Sequence, residues 1–272
     1  MGGLKRTQFR VFDDGAEQNI AIFYSIDSPA HVAVLIETSP AVYLIQGQHL
    51  AAAYSLLDGL APSDEVAIAA YDQSTRLVLD FTSDRAIVTR ALDGLQYFLG
   101  MGELNFYDAV NATVASLPAE VEKKALLLLS TGLDTSSQER WNALERRLET
   151  SDVSVFTVGL GGSVRKYKSK KPAQPHEPTF QRADAALRDI ARITGGQSYF
   201  PASPDDFVRA YRDISAQLRH EYLLAYPPPA HDGRVHTIEV RIMDDQGRML
   251  GTSGSTSGLR IFARQSYLAP AN

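Results

Sequence analysis

The chain has 272 residues, 44% of them hydrophobic and 22% charged, an ordinary globular balance that supports a full core without disulfides or metals. Its formal net charge of -5 and pI near 5.7 argue against general nucleic-acid binding, which needs a concentrated positive surface. With no cysteine, disulfide scaffolds, thiolate metal sites and thiol nucleophiles are excluded. No apolar run approaches the roughly 20 residues of a bilayer span, so no membrane insertion is expected.

From the N-terminus, Phe9 to Phe12 and Asn19 to Tyr24 read as two short strands around Asp13-Asp14-Gly15, since an Asp-Gly pair supplies the positive-φ residues of tight turns. The pattern then changes. His31 to Ile36, Val66 to Ala70, Ala125 to Leu129 and Val153 to Val158 are nearly continuous apolar runs, as expected of parallel strands covered on both faces. Helical stripes alternate with them: Leu50, Tyr54 and Leu57; Trp141, Leu144 and Leu148; Phe207, Tyr211, Ile214 and Leu218. Ser136 with Glu139 has capping-box spacing, and Ser203-Pro204-Asp205-Asp206 offers a cap, a first-turn proline and early acids. Gly195-Gly196 after Thr194 is a helix stop. The C-terminal part returns to β signals, with strands expected at Tyr222 to Tyr226, around Ile238, Val240 and Ile242, and at Leu259 to Arg264. These late strands have no helices between them and are expected to pair with the N-terminal ones.

The fold expected is therefore α/β: a Rossmann-like, mostly parallel sheet with helices on both faces over about residues 28–220, and an auxiliary antiparallel β subdomain from 8–24 with 221–269.

Motifs for catalysis are missing. Six scattered histidines include no H-E-x-x-H pair, and no G-x-S-x-G elbow occurs. Gly159-Leu-Gly-Gly162 lacks the G-K-[ST] ending of a phosphate loop and reads as a strand exit. The adjacent acids Asp13-Asp14 and Asp244-Asp245 read as turn chemistry.

An ordered set of segments carries a family resemblance: Phe9-Arg-Val-Phe-Asp-Asp-Gly15, Val34-Leu-Ile-Glu-Thr-Ser39, Phe106-Tyr-Asp-Ala109, Leu126-Leu-Leu-Leu-Ser-Thr-Gly132 with Asp134-Thr-Ser-Ser137, Thr194-Gly-Gly196 and Leu218-Arg-His-Glu-Tyr-Leu-Leu-Ala-Tyr226. In order and spacing, from about residue 8 to about residue 269, the chain resembles the bacterial von Willebrand factor type A-related family first noted in acidobacteria. The resemblance implies a metal-ion-dependent adhesion site of five positions at the C-terminal ends of the strands, where hydroxyl and carboxylate oxygens hold a hard divalent cation. In this chain those positions read Glu37, Ser39, Ala41, Leu104 and Thr131. Three lack the implied ligand, and Glu37 sits one methylene further out than the implied aspartate. Glu103, Asn105 and Asp134 lie near the same loops and offer oxygens for a different geometry.

The expectation is a non-catalytic, metal-free, cofactor-free adhesion or protein-interaction module, binding an unidentified protein through this loop face. Pro40 and Leu104 are expected to make the face apolar. Arg165, Lys166, Lys168, Lys170 and Lys171, in a solvated loop after the strand Val153 to Val158, are expected to overhang it and attract an acidic partner. Three alternatives stay open: a metal-dependent adhesion domain with a rearranged site, a hydrolase no motif marks, and a structural part of an envelope assembly. Similar family members are generally exported. This chain shows no leader, and its opening, Gly3 to Phe9, resembles an interior stretch of longer relatives.

Overall fold

The computed structural model describes residues 3–26, 28–43, 46–97, 102–119, 123–160, 162, 180–219, 221–254 and 259–271. The apolar runs form the middle of a six-stranded sheet. Its strands are β4 (His31–Glu37), β5 (Glu65–Tyr71), β6 (Thr75–Thr82), β7 (Lys124–Ser130), β8 (Ser154–Gly159) and β9 (Ser198–Tyr199), in spatial order β6-β5-β4-β7-β8-β9. All neighbours are parallel except the edge pair β5 and β6.

Because side chains alternate across a strand, β4 feeds two cores at once. Val32, Val34 and Ile36 pack with α2 (Gln46–Gly59), α3 (Arg85–Asp93) and α7 (Pro204–Arg219). Ala33 and Leu35 face α4 (Phe106–Ser116), α5 (Trp141–Thr150) and α6 (Phe180–Thr194). The stripe Phe207, Tyr211, Ile214 and Leu218 is buried as its spacing predicts. A short helix α1 (Pro40–Tyr43) follows β4 directly.

The chain ends meet in antiparallel sheets. β1 (Phe9–Asp13) pairs with β11 (Val235–Met243) and with β2 (Ala16–Gln18), while β12 (Met249–Thr252) and β13 (Ser266–Leu268) pair with β11. The β1–β2 hairpin turns on Asp14 (φ 46°) and Gly15 (φ 82°), the left-handed pair that tight hairpins require. β3 (Ile22–Ser25) and β10 (Tyr222–Ala225) form a separate two-stranded sheet. Phe9, Phe23 and Tyr222 tie the two sheets together, with ring centroids 5.3 to 5.8 Å apart. Beneath them Asp13 accepts hydrogen bonds from Tyr226 Oη (2.9 Å) and Tyr267 Oη (2.8 Å) and pairs with His236 Nδ1 (2.8 Å).

Three local expectations fail. Asn19 to Tyr24 is not one strand: the hairpin partner of β1 is Ala16–Gln18, and β3 starts at Ile22. Leu259 to Arg264 is no strand either, and makes only an isolated bridge at Ile261. Its backbone is drawn to the end of α6, where Ala263 and Arg264 lie so close to Gly195 that a Cβ there would stand 2.6 Å from Arg264 N. The Arg264 guanidinium caps the end of α5 through the carbonyls of Leu148 (3.2 Å), Glu149 (2.7 Å) and Ser151. Third, Ser136 and Glu139 form no capping box, because α5 begins later, after Arg140. Ser136 Oγ donates to Asn105 Oδ1 and the Glu139 amide to Asp108 Oδ1 (2.8 Å).

Candidate functional site

Strand register assembles the crown of the sheet. Glu37 ends β4 directly across from Tyr71, which ends β5, and Ile36 lies beside Leu129, so Ser130 at the end of β7 flanks Glu37 on the other side. Thr131 is the next residue along. All four are fully buried, and Ser39 nearly so.

The Glu37 carboxylate is the centre of this cluster. Oε1 accepts from Ser39 Oγ at 2.6 Å. Oε2 accepts from the Thr131 amide at 2.7 Å and from Thr131 Oγ1 at 2.8 Å. Ser130 Oγ and Tyr71 Oη also approach Oε2, at 3.1 and 3.2 Å, and lie 2.6 Å from each other. One proton occupies that short contact, so one hydroxyl of the pair donates to the carboxylate. Since Ser130 Oγ also accepts from the Gly132 amide at 2.7 Å, the chain Tyr71 to Ser130 to Glu37 uses every hydroxyl proton once. Burial pushes the Tyr71 phenol well above its usual range, and the Glu37 charge adds to the shift, so Tyr71 stays protonated and available as a donor.

The loop after Thr131 is held by shape. Gly132 has φ 73°, and a Cβ there would lie 2.8 Å from the Ala183 carbonyl of α6. Only glycine permits both the left-handed backbone and this approach.

A second polar cluster sits alongside. Arg76 Nη1 pairs with Asp72 Oδ2 (3.0 Å), and Nη2 donates to Thr38 Oγ1 and to the Gln96 carbonyl, each at 3.0 Å. Burial works to raise the Asp72 pKa, but Arg76, the Gln73 amide and the Thr38 hydroxyl outweigh it and hold the carboxyl below its usual range.

These contacts decide whether the residues fit the divalent cation that the resemblance implies. Such an ion needs oxygen lone pairs in near-octahedral array. Here Oε2 faces a main-chain N–H and at least two hydroxyl protons, and an amide nitrogen offers no lone pair. Ala41 and Leu104 bring carbon. Leu104 is only 8% exposed, and its main chain is fastened to Thr135 through N to Oγ1 (2.6 Å) and through O from the Thr135 amide (2.9 Å). Of the neighbouring oxygens, Asn105 is engaged at both ends of its amide, giving Nδ2 to the Gln73 carbonyl and accepting from Ser136. Asp134 accepts from Ser137 Oγ and from the Tyr107 amide (3.3 Å). Glu103 is exposed. Bonded in this way, the five implied positions do not make the near-octahedral oxygen set of a hard divalent ion.

The structure thus brings Glu37, Ser39 and Thr131 into contact and leaves Ala41 half-buried at the start of α1. Leu104 is covered, so it adds little apolar surface to the face. Among the described residues there, Tyr43 is 41% exposed, beside half-buried Pro40. The basic positions Arg165 to Lys171 lie outside the described residues. Two central residues went unread in the sequence, Tyr71 and Ser130. Each follows an apolar run by one residue, Val66 to Ala70 for Tyr71 and Ala125 to Leu129 for Ser130, a signal that strand register alone turns into contact.

No protein-family model and no curated protein matches the chain. Solved structures do. A von Willebrand factor type A protein from Catenulispora acidiphila shares 14% identity, with 97% of this chain and 74% of that one covered and a TM-score of 0.54. The von Willebrand domain of Mfa5, a type V pilus tip protein from Porphyromonas gingivalis, shares 12% identity over 71% of this chain and 96% of that one, at a TM-score of 0.51. The fold is that of a von Willebrand factor type A domain. An aerotolerance-related membrane protein from Bacteroides fragilis has it too, at 15% identity, covering 70% of this chain and 98% of that one with a TM-score of 0.52. In this von Willebrand fold, Glu37, Ser39 and Thr131 occupy the crown of the sheet, where the adhesion-site positions are expected.

Proposed function

We propose that the chain is a non-catalytic protein-interaction or adhesion module that grips its partner at the crown of the sheet without a divalent ion. One observation carries this reading: the Glu37 carboxylate is buried and closed by Ser39, Thr131 and the Ser130–Tyr71 pair, so its lone pairs go to internal donors. Internal hydroxyls and an amide compensate the buried charge, the work a cation does at a loaded site.

The contact surface is then the rim around this closed centre. Pro40 and Tyr43 supply apolar area, while Gln73, Glu103 and Thr135 supply polar edges. Such a patch of one aromatic with a polar surround suits a protein partner. The pilus tip protein among the similar structures supports an adhesive role, and the missing catalytic motifs support a non-enzymatic one. We assign binding to residues 28–220, with 8–24 and 221–269 as an auxiliary β unit.

The test is capture of partners from a native cell-envelope extract, with and without EDTA, using wild type and Tyr43→Glu. A partner retained in EDTA and lost with Tyr43→Glu supports the reading. A partner released by EDTA and restored by manganese overturns it.

A further inference from the structure

His236, buried near the start of β11, joins the β1–β2 hairpin to a strap of residues 266–271 that begins with β13. Carboxylates face both of its ring nitrogens. Nδ1 lies 2.8 Å from Asp13 Oδ1 and 3.2 Å from Asp14 Oδ2, and Nε2 lies 3.2 Å from Asp232 Oδ1. Two phenols complete the surroundings. The Tyr267 ring centroid stands 5.4 Å from the imidazole, and Tyr226 and Tyr267 both donate to Asp13 Oδ2. Burial, and then Asp13, push both phenols up, so they keep their protons near neutral pH. Arg234 is largely exposed and approaches only Asp232, its Nε 4.0 Å from Oδ2.

An imidazole carries two N–H groups only when charged; neutral, it has one N–H and one lone pair. Asp13 and Asp232 are therefore both satisfied only by the imidazolium. Both acids stay ionised. The Arg234 amide first, and then His236, hold the Asp232 carboxyl below its usual range, against some burial. At Asp13 burial works upward, but His236 and the two phenols outweigh it.

Loss of the histidine proton cannot fall equally on the two sides. The Asp13 side chain is fully buried, so an N–H must stay on it. The Asp232 side chain is 36% exposed, and water can replace its lost donor. A lone pair on Nε2 then faces a carboxylate, and Asp232 turns outward. Asp232 is also where the strap is fastened. It bridges Ala271, while the Gly233 amide donates to the Pro270 carbonyl (3.3 Å) and the Ala269 amide to the Arg234 carbonyl (2.8 Å).

We propose that His236 is a proton-operated clasp: charged, it ties Asp232 and the stretch 269–271 to the hairpin, and neutral, it keeps Asp13 and releases them. The clasp belongs to the β subdomain and does not rest on the function proposed for the crown.

Hydrogen exchange and nitrogen-15 NMR of the full chain, at about pH 5.5 and about pH 8.5, test this. Protection of the Gly233 and Ala269 amides, corrected for the intrinsic rate, is expected to fall about tenfold between the two, as a charge-assisted bond is lost. The midpoint is expected above pH 6.5, since the bond to Asp13, and then that to Asp232, raise the His236 pKa against burial. The imidazole is expected to pass from doubly protonated to the Nδ1–H tautomer. In Asp232→Asn the side-chain amide accepts from Nε2–H or donates to its lone pair, so the tenfold change should disappear. Unchanged protection in wild type, an Nε2–H tautomer at the higher pH, or a tenfold change that persists in Asp232→Asn overturns the proposal.

Discussion

Replacing Glu37 reads the energetics of the crown directly. In Glu37→Gln the amide oxygen keeps the three-donor side at Oε2, and the new NH₂ faces Ser39, whose hydroxyl rotates to accept. The number of hydrogen bonds is preserved and only the charge assistance is lost, a cost of about 1 kcal/mol. Glu37→Leu is different. The Thr131 amide cannot rotate, and as a buried unpaired donor it costs about 1–3 kcal/mol. The Ser39 and Thr131 hydroxyls lose charged acceptors as well. Relief from burying a charge offsets part of this, so the net loss expected is about 3–4 kcal/mol. Urea unfolding followed by the fluorescence of Trp141, the only tryptophan, measures both variants. It sits half-buried in α5, 5.8 Å from the Tyr107 ring, and so reports on the α/β core. A shift in midpoint at constant slope is the expected signature. A leucine variant as stable as wild type, or a glutamine variant as damaged as the leucine one, refutes the hydrogen-bond reasoning.

Two further outcomes follow from the same contacts. His236 has its pKa raised above 6.5, first by its hydrogen bond to Asp13, then by Asp232 and the charges of Asp13 and Asp14, while burial opposes. A raised histidine stabilises fully below 6.5 and loses that contribution as pH climbs through the folded value, so urea midpoints should fall above pH 6.5 in wild type and show no such slope in His236→Gln. The lowered Asp13 acts in the opposite window: its contribution is present above 3.8 and is lost as pH drops through the folded value. Gly132→Ala forces a side chain into left-handed backbone and against the Ala183 carbonyl, and should cost about 2–3 kcal/mol in the same unfolding assay. A loss under 0.5 kcal/mol would show that the loop relaxes freely.

The sheet was legible because β4, β7 and β8 are buried on both faces, and continuous runs such as Leu126 to Leu129 leave little else to infer. β6 was not legible. Thr75 to Thr82 is an edge strand that returns antiparallel and leaves Leu77 67% exposed, so its pattern resembles a solvated segment. The short C-terminal strands β12 and β13 exist only by pairing with β11, which no local propensity reveals. At the crown, the expected adhesion positions located Glu37, Ser39 and Thr131. The contacts of Tyr71 and Ser130 needed strand register, since 34 and 93 residues separate them from Glu37. Leu104 misled for a related reason. Its residue type announced an apolar face, but its main-chain bonds to Thr135 place it in a covered position.

The most direct test of the account is calorimetric titration of the purified chain with Mn²⁺ and then Mg²⁺ at neutral pH, wild type beside Glu37→Gln. The same isotherm for both proteins is expected, with no Glu37-dependent site, because the Glu37 carboxylate is already occupied by neighbouring hydroxyls and an amide. A stoichiometric isotherm in wild type that disappears in Glu37→Gln would contradict that account.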